Sequence, residues 1–495
     1  MKKNLLIAFS LLLPFIVFAQ DEAPVYKDFY EKARTVPSSF IFNDHLNVME
    51  VNKDNETFEL IAVNDQMQVV WRTELKGYVL AGAKFKNKIL AVASTDYSAM
   101  KSTNNTYKGY LLDPATGKVL IDKVIYDGTA AYMTMPYIFT GDGDFFKLAI
   151  RQDGMERRVH VTTPLLFMLS NSYSKQMNET KSLDVIDFND QLEAVNKFKP
   201  EIAKGDFINW TCNNAGDMFI AWLNEGSLDF VKYNAGKTGP SNKVSSDIAF
   251  KKENSDISPG SYMAIAPSKK EGNLLYYGLM YKNLNNKEIE LGVGKIDFSN
   301  GKKQFVSEVF TKDHIKSLEK AFVPVNKKMD KPDLFSPKSL GVRGIGENNG
   351  HLVISITARS SSQGSMGVWE LESSTLLNGY DTDLNLKYQQ FIPSGYSFPT
   401  RILPSGYYFS KDKLFVITND KQGMTTMYAT YAVLDLNTGQ WDKMVWLSKK
   451  KISNGDFAGS SSVLWYSNGF IVPYLAMKSG IGTTKYSITL QQNSL

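Results

Sequence analysis

The chain has 495 residues, 43% hydrophobic and 12% aromatic, with a formal net charge of +5; it is long enough to bury a large core. Its one cysteine, Cys212, leaves no possibility of an intramolecular disulfide, so stability must come from packing. The basic residues are 48 lysines and 8 arginines; scattered lysines with so little arginine, the usual residue for bidentate phosphate and base recognition, read as a solvated surface and argue against nucleic-acid binding.

The first residues read MKKNLLIAFSLLLPFIVFAQ. Lys2 and Lys3 form a positive start, Leu5 to Val17 an apolar stretch, and Val17-Phe18-Ala19 a cleavage site. This is the pattern of a secretory signal peptide cut after Ala19. Its FAQ ending resembles those common in the Bacteroidetes. No cysteine follows the apolar stretch, so a lipid anchor is not expected. No later stretch reaches the roughly 18 apolar residues of a membrane-crossing helix. The expectation is a periplasmic or secreted protein that begins at Gln20, with residues 20–495 forming one domain. Loss of Lys2 and Lys3 takes the charge from +5 to 5 − 2 = +3.

From there the chain repeats one phrase. Residues 59–75 read ELIAVNDQMQVVWRTEL, 110–124 YLLDPATGKVLIDKV, 183–198 LDVIDFNDQLEAVNKF, 291–306 LGVGKIDFSNGKKQFV and 431–446 YAVLDLNTGQWDKMVW. Each is an alternating strand, a polar turn of Asp, Asn or Gly, and a second alternating strand. A tighter hairpin precedes the phrase, as in FKNKILAVAS (85–94), NGHLVISI (349–356), FSKDKLFVIT (409–418) and VLWYSNGFIVPYLAM (463–477). Asn-Gly or a similar pair between apolar strands marks a two-residue turn.

The joined unit is a four-stranded antiparallel meander. Its polar anchors fall at Asn64, Asp113, Asp187, Tyr233, Asp297, Glu372 and Asp435, with a last strand through Tyr486-Ser487-Ile488. Such spacing predicts an all-β fold, a β-propeller. Eight repeats are counted, and merging of the first with the last would leave seven blades, so seven or eight are expected. The last repeat shows three strands only. The segment Pro24 to Ala33, or the first hairpin, is expected to supply its missing outer strand and close the ring. Repeat 130–201 is swollen enough for an extra hairpin. Residues 311–338 interrupt the pattern: Ile315, Leu318 and Phe322 have helical spacing, which predicts a short helical insertion over about 313–322.

The phrases LLDPATGKVL and VLDLNTGQW resemble the pyrroloquinoline-quinone-like propeller repeat, Ile61 to Trp71 resembles it in part, and the remaining repeats match loosely. The resemblance implies a propeller. The paired cysteines that quinone-dependent dehydrogenases of this class carry are absent, so no cofactor is expected.

The candidate chemistry is thin. His45, His160, His314 and His351 lie at no metal-binding spacing. Asp142 with Asp144, and Asp381, Asp383 and Asn385, carry oxygens that suit Ca²⁺ but sit where turns belong. Gly341, Gly344 and Gly346 fall in a predicted strand without the helix a phosphate loop needs. No GxSxG elbow is present. No catalytic residue and no metal site is assigned.

The aromatic connections are richer: AAYMTMPY (130–137), KGDFINWT (204–211), SPGSYM (258–263), SGYSFPTR (394–401) and NGDFAGSS (454–461). Trp210, Tyr262, Tyr396 and Arg401 are the expected ligand-binding residues at one mouth of the channel. The aromatics would give a platform and Arg401 a bidentate clamp. The competing reading puts the aromatics between blades as core. The expected function is a monomeric, non-enzymatic binding or scaffold module for a carbohydrate, a peptide or an envelope protein. The alternatives are an exported glycan- or peptidoglycan-active enzyme using loop carboxylates, and an accessory or sensor part of an envelope complex.

Overall fold

The computed structural model describes residues 23–97, 105–128, 136–153, 180–203, 205–224, 226–249, 263–322, 332–334, 336–364, 367–392, 396–398, 405–422, 426–447, 456–480 and 483–495. One strand, β1 (Val25–Ala33), precedes the first complete blade, which is β2 (Ser38–Asn43), β3 (Leu46–Asn52), β4 (Thr57–Asn64) and β5 (Val69–Lys76). The second is β6 (Tyr78–Phe85), β7 (Lys88–Ser94), β8 (Asn105–Leu112) and β9 (Val119–Gly128). The third is β10 (Tyr137–Phe139), β11 (Phe146–Asp153), β12 (Thr180–Phe188) and β13 (Ala194–Phe198). The fourth is β14 (Asp206–Cys212), β15 (Met218–Asn224), β16 (Ser227–Tyr233) and β17 (Asn242–Asp247). The fifth is β18 (Met263–Pro267), β19 (Leu274–Lys282), β20 (Ile289–Asp297) and β21 (Lys302–Val309), followed by α1 (Lys312–Ala321). The sixth is β22 (Leu340–Asn348), β23 (His351–Gly364), β25 (Thr375–Asp381) and β26 (Leu386–Ile392), with β24 (Gly367–Glu372) and β27 (Tyr396–Phe398) added. The seventh is β28 (Gly406–Ser410), β29 (Lys413–Gln422), β30 (Thr426–Asp435) and β31 (Trp441–Trp446). The eighth is β32 (Asp456–Ala458) with β33 (Leu464–Trp465), then β34 (Gly469–Gly480), β35 (Thr483–Ser494) and, as its outermost strand, β1.

Each blade is an antiparallel meander in sequence order. The first strands of neighbouring blades touch, β2 with β6, β14 with β18, and β18 with β22. Elements that crowd together around a ring are those nearest its axis, so the first strand of each blade is the inner one. The second and third strands are buried on both faces, as Leu46–Asn52 and Met218–Asn224 illustrate. Near-continuous apolar runs there follow from a neighbour on each side. The core is accordingly divided into clusters that each join two adjacent blades: Phe58, Val79 and Ile89 between the first and second, and Met49, Val51, Leu464 and Ile488 between the eighth and first.

The ring has eight blades and closes through β1, which pairs antiparallel with β35. The first blade keeps four strands of its own because β1 lies upstream of its first hairpin, so joining the ends removes no blade. Phe29, Tyr30 and Ala33 of β1 are buried in the junction with the first blade. Arg72 of β5 donates to the Phe29 carbonyl at 2.8 Å and its guanidinium lies 4.8 Å over the Phe29 ring.

The tight turns follow the residues expected of them. Asn349 and Gly350 both have positive φ, 50° and 86°, and Lys86 and Asn87 have 46° and 58°; this handedness matches the twist of the flanking strands. In the opening of the longer phrase, Asp113 Oδ1 accepts from the backbone N–H of Ala115 and Thr116 and from Thr116 Oγ1. Asp435 repeats this with Asn437 and Thr438. These bonds hold both carboxyls below their usual range. The glycine of the phrase has a tertiary role. Gly117 (φ +70°) lies against Trp71 of the preceding blade, where a Cβ would come within 2.5 Å of the indole. Trp71 Nε1 donates to the Pro114 carbonyl at 2.8 Å, and Thr73 Oγ1 to that of Gly117 at 2.8 Å. Gly439 lies against Tyr388 of its preceding blade in the same way.

One anchor differs from the sequence reading. Glu372 ends β24, an added strand, and the turn between the third and fourth strands of the sixth blade begins at Asp381. The cause is β23, whose first half pairs with β22 and β25 and whose second half pairs with β24; β24 in turn pairs with β27. An extra hairpin is thus seen in the sixth blade. The swollen part of repeat 130–201 falls at 154–179, outside the described residues. The helix stands where its spacing placed it. Thr311 Oγ1 accepts from the His314 N–H at its start, and Ile315, Leu318 and Phe322 pack onto the junction of the fifth and sixth blades.

Gly117→Ala is expected to cost about 1–3 kcal/mol, because the new methyl meets both a left-handed φ and the Trp71 ring. Gly236→Ala has φ +69° with open space at its Cβ position, and should cost about 1 kcal/mol from the backbone alone. Urea unfolding of the two variants checks the difference.

Candidate functional site

Successive strands run antiparallel, so the connections alternate between two faces. One face holds the turns from first to second strand and from third to fourth. These are short: 44–45, 86–87, 349–350, 411–412, 65–68 and 298–301. The other face holds the passages from second to third strand and from each outer strand to the next inner one. It includes 154–179, 248–262, 310–339 and 393–405. Here too stand α1, β24 and β27, and the outer halves of β23, β34 and β35. Most of the residues of AAYMTMPY, SPGSYM and SGYSFPTR lie outside the described residues.

The segment KGDFINWT enters β14 already at Asp206, so its aromatics belong to an inner strand. Trp210 is 2% exposed. Its ring meets Phe207 edge-on at 5.3 Å and Tyr137 at 5.2 Å, and Phe207 meets Trp222 at 5.6 Å. A fourth-blade inner strand packed against the third blade on this side has no solvent face, which explains why Trp210 is core. Trp210 Nε1 is buried without a hydrogen-bond partner. Above it Tyr137, the first residue of β10, is 43% exposed. Arg151 carries its guanidinium 4.9 Å over the Phe207 ring and donates from Nε to Thr180 Oγ1 at 3.0 Å. Tyr262 and Arg401 lie outside the described residues. Tyr396 pairs with Glu372 through the backbone of β27, and its side chain lies outside the description. Tyr137 closes AAYMTMPY and was not singled out from sequence. Its signal was an aromatic at the point where a long connection enters an inner strand.

Buried charges are mostly compensated. Lys147 pairs with Asp187, which also accepts from Asn196. Lys232 pairs with Asp217 at 2.8 Å. Glu290 accepts from Tyr281 Oη at 2.7 Å and from Asn283 and Asn286 Nδ2 at 2.9 and 2.7 Å. Glu50 differs. It is 4% exposed, accepts from Ser38 Oγ at 2.5 Å through Oε2, and leaves Oε1 buried without a partner. Burial pushes its carboxyl up to about 7.

Several other candidates sit in turns or pairs, and His160 lies outside the described residues. Asp381 accepts from the backbone N–H of Asp383 and Asn385 and pairs with Lys387 at 2.8 Å. Desolvation pulls its carboxyl up, but the bonds from Lys387, Asn385 and the two amides outweigh it and leave it below the usual range. Asp142 accepts from Asn214 Nδ2 at 2.5 Å. His45 pairs with Asp65 at 3.0 Å and His314 with Glu308 at 2.9 Å. Among the described residues no three His, Cys, Asp or Glu gather as metal ligands, and no helix is long and apolar enough to cross a membrane. Burial pushes the Cys212 thiol well above its ordinary range.

No protein-family model and no curated protein matches this sequence. Among solved structures it is similar to the WD40 domain of SCAP from fission yeast, at 11% identity, 95% of this chain, 98% of that chain and a TM-score of 0.40. It is similar to the polysaccharide lyase Uly1 at 11% identity, 84% of this chain, 90% of that one and 0.41. It is also similar to the β-propeller domain of the Trilobed protease from Pyrococcus furiosus, at 9%, 84%, 94% and 0.37. The architecture here rests on the strand order itself.

Trp210→Ala should cost about 3–5 kcal/mol as a buried aromatic truncation, whereas Tyr137→Ala should stay within about 1 kcal/mol; denaturant unfolding checks both. Cys212 should resist iodoacetamide in the folded protein and react fully once it is unfolded. Mass spectrometry before and after denaturation reads this directly.

Proposed function

We propose that this chain is an exported, non-enzymatic propeller that captures a carbohydrate at its long-connection face. The observation that supports it is the inequality of the two faces. One is a ring of two- to eight-residue turns, many of them fixed by Asp and Asn side chains. The other carries almost all the chain length that the blades do not need. Long connections on a rigid scaffold are where binding residues are carried. Exposed Tyr137, set edge-on over Trp210, offers a flat apolar surface, and Arg151 is nearby through Phe207; aromatic faces with a few polar groups suit sugar rings. Tyr262, Tyr396 and Arg401, named from the sequence, are proposed to complete the site, with Trp210 as the floor beneath Tyr137.

The exported location rests on the amino-terminal pattern of Lys2, Lys3 and the apolar run to Val17. The DPATG and DLNTG turns support a quinoprotein-like repeat used as scaffold. A glycan-cleaving reading finds little support in Glu50, since a carboxyl 4% exposed cannot reach a sugar.

The mature protein is expected to begin at Gln20 and to be retained by one or more members of a glycan array. Tyr137→Ala and Arg401→Ala should each lower that retention at least tenfold with little change in melting temperature. Retention by peptides alone would move the ligand class to peptide. Retention by neither, or binding unchanged in both variants, would overturn the assignment of the face.

A further inference from the structure

We propose that Glu50 is a proton-dependent latch between the first and second blades, closed when its carboxyl is neutral and loosened when it is charged. Val48, Glu50 and Asn52 alternate onto the face of β3 that meets the second blade. Val48 packs there with Val79 and Ile89. Asn52 is a fixed rivet: its Oδ1 accepts from the Val79 N–H at 2.8 Å and its Nδ2 donates to the Val79 carbonyl at 3.3 Å. Glu50, two residues away, lies against Gly82 of the same inner strand, β6. A Cβ at Gly82 would come 2.2 Å from Glu50 Oε1 and 2.6 Å from the Phe40 ring. There is no room for a methyl group on Gly82, and Glu50 Oε1 is buried there without a partner.

The charged form therefore has no partner at Oε1. Among the described residues the one hydrogen bond to its side chain comes from Ser38 on β2, opposite it in register; Leu60 is its ladder partner on β4. No titratable group on β2, β4 or β6 faces it. Lys84 of β6 lies 5.7 Å over the Phe42 ring, and Lys53 and Arg72 are engaged with Glu59 on the opposite face of the blade. A lone carboxylate in such a site is unfavourable by several kinds of account, and the group stays neutral instead. Burial raises its carboxyl from the ordinary 4.5 to about 7, with the Ser38 hydroxyl opposing.

The sign follows. The folded chain keeps a proton that the unfolded chain releases, so this contribution to stability is full in acid and is lost as pH rises from about 4.5 to about 7. Above that range the charge can be hydrated only by parting β6 from β3 at Gly82, while Asn52 still holds Val79. The opening is local, and it lies between the second strand of the first blade and the inner strand of the second.

The test uses the whole protein and Glu50→Gln. Between pH 5.5 and pH 8.5 the melting temperature of the wild type should fall by a few degrees more than that of the variant. Over the same interval amide hydrogen exchange in 38–52 and 78–85, corrected for its intrinsic pH dependence, should rise several-fold in the wild type and stay level in the variant. Ser38→Ala, which removes an exposed hydroxyl and with it the one bond to the charged form, should move the transition to higher pH. Parallel curves for wild type and Glu50→Gln would overturn the proposal. If Glu50→Gln does not fold, a transition left in place by Ser38→Ala would overturn it as well.

Discussion

Every blade of this protein is apolar on both faces, and that single constraint organises the rest. A four-stranded meander of the kind repeated here can bury neither face alone. Each interior cluster belongs to two neighbouring blades, from Phe58 and Ile89 between the first and second round to Met49 and Ile488 between the eighth and first. An open row of such blades would leave two apolar sheets in water. Closure is therefore a condition of stability, and the pairing of β1 with β35 is how the chain meets it.

The same constraint decides what was legible in the sequence. Turn chemistry is local, so Asp113, Asp435 and Asn349-Gly350 announced their hairpins without any knowledge of neighbours. The helix was legible because Ile315, Leu318 and Phe322 share one stripe. The blade count was not, because it depends on whether the ends share a blade or complete one, which is a long-range fact. Glu372 misled because the second half of β23 pairs with β24 in a hairpin that carries the same alternation as a true outer pair. Trp210 was named as part of an open mouth, yet an inner strand is covered by a blade on each side. An aromatic there reads alike whether it faces a ligand or a neighbouring sheet. The neighbourhood of Glu50 was invisible, since Gly82 is 32 residues away in sequence and belongs to the next blade.

The polar features divide in the same way. Most buried charges stitch strands or turns together and are fully partnered, as with Lys232 and Asp217 or Glu290 and its three donors. They give the ring rigidity and say nothing of a ligand. The short-turn face is likewise consumed by its own hydrogen bonds. What remains free to vary is the opposite face, where lengthening a connection disturbs no ladder and costs little closure entropy. A scaffold that fixes one face and frees the other can acquire new binding specificity without renegotiating its core.

The position of β1 has a consequence for how the molecule comes into being. It is the first strand of the ring to leave the ribosome, and its partner β35 is the last. Until β35 has formed β1 has no mate, and each blade as it forms presents a naked apolar sheet to whatever follows. The chain can stack blades one after another, but the eighth cannot be completed until β35 (Thr483–Ser494) joins it. Closure of the ring thus waits on β35, the strand furthest from β1 in sequence. Contacts spanning nearly the entire chain are slow to form, and the interval before they do is when this protein most needs to be kept from its own unfinished copies.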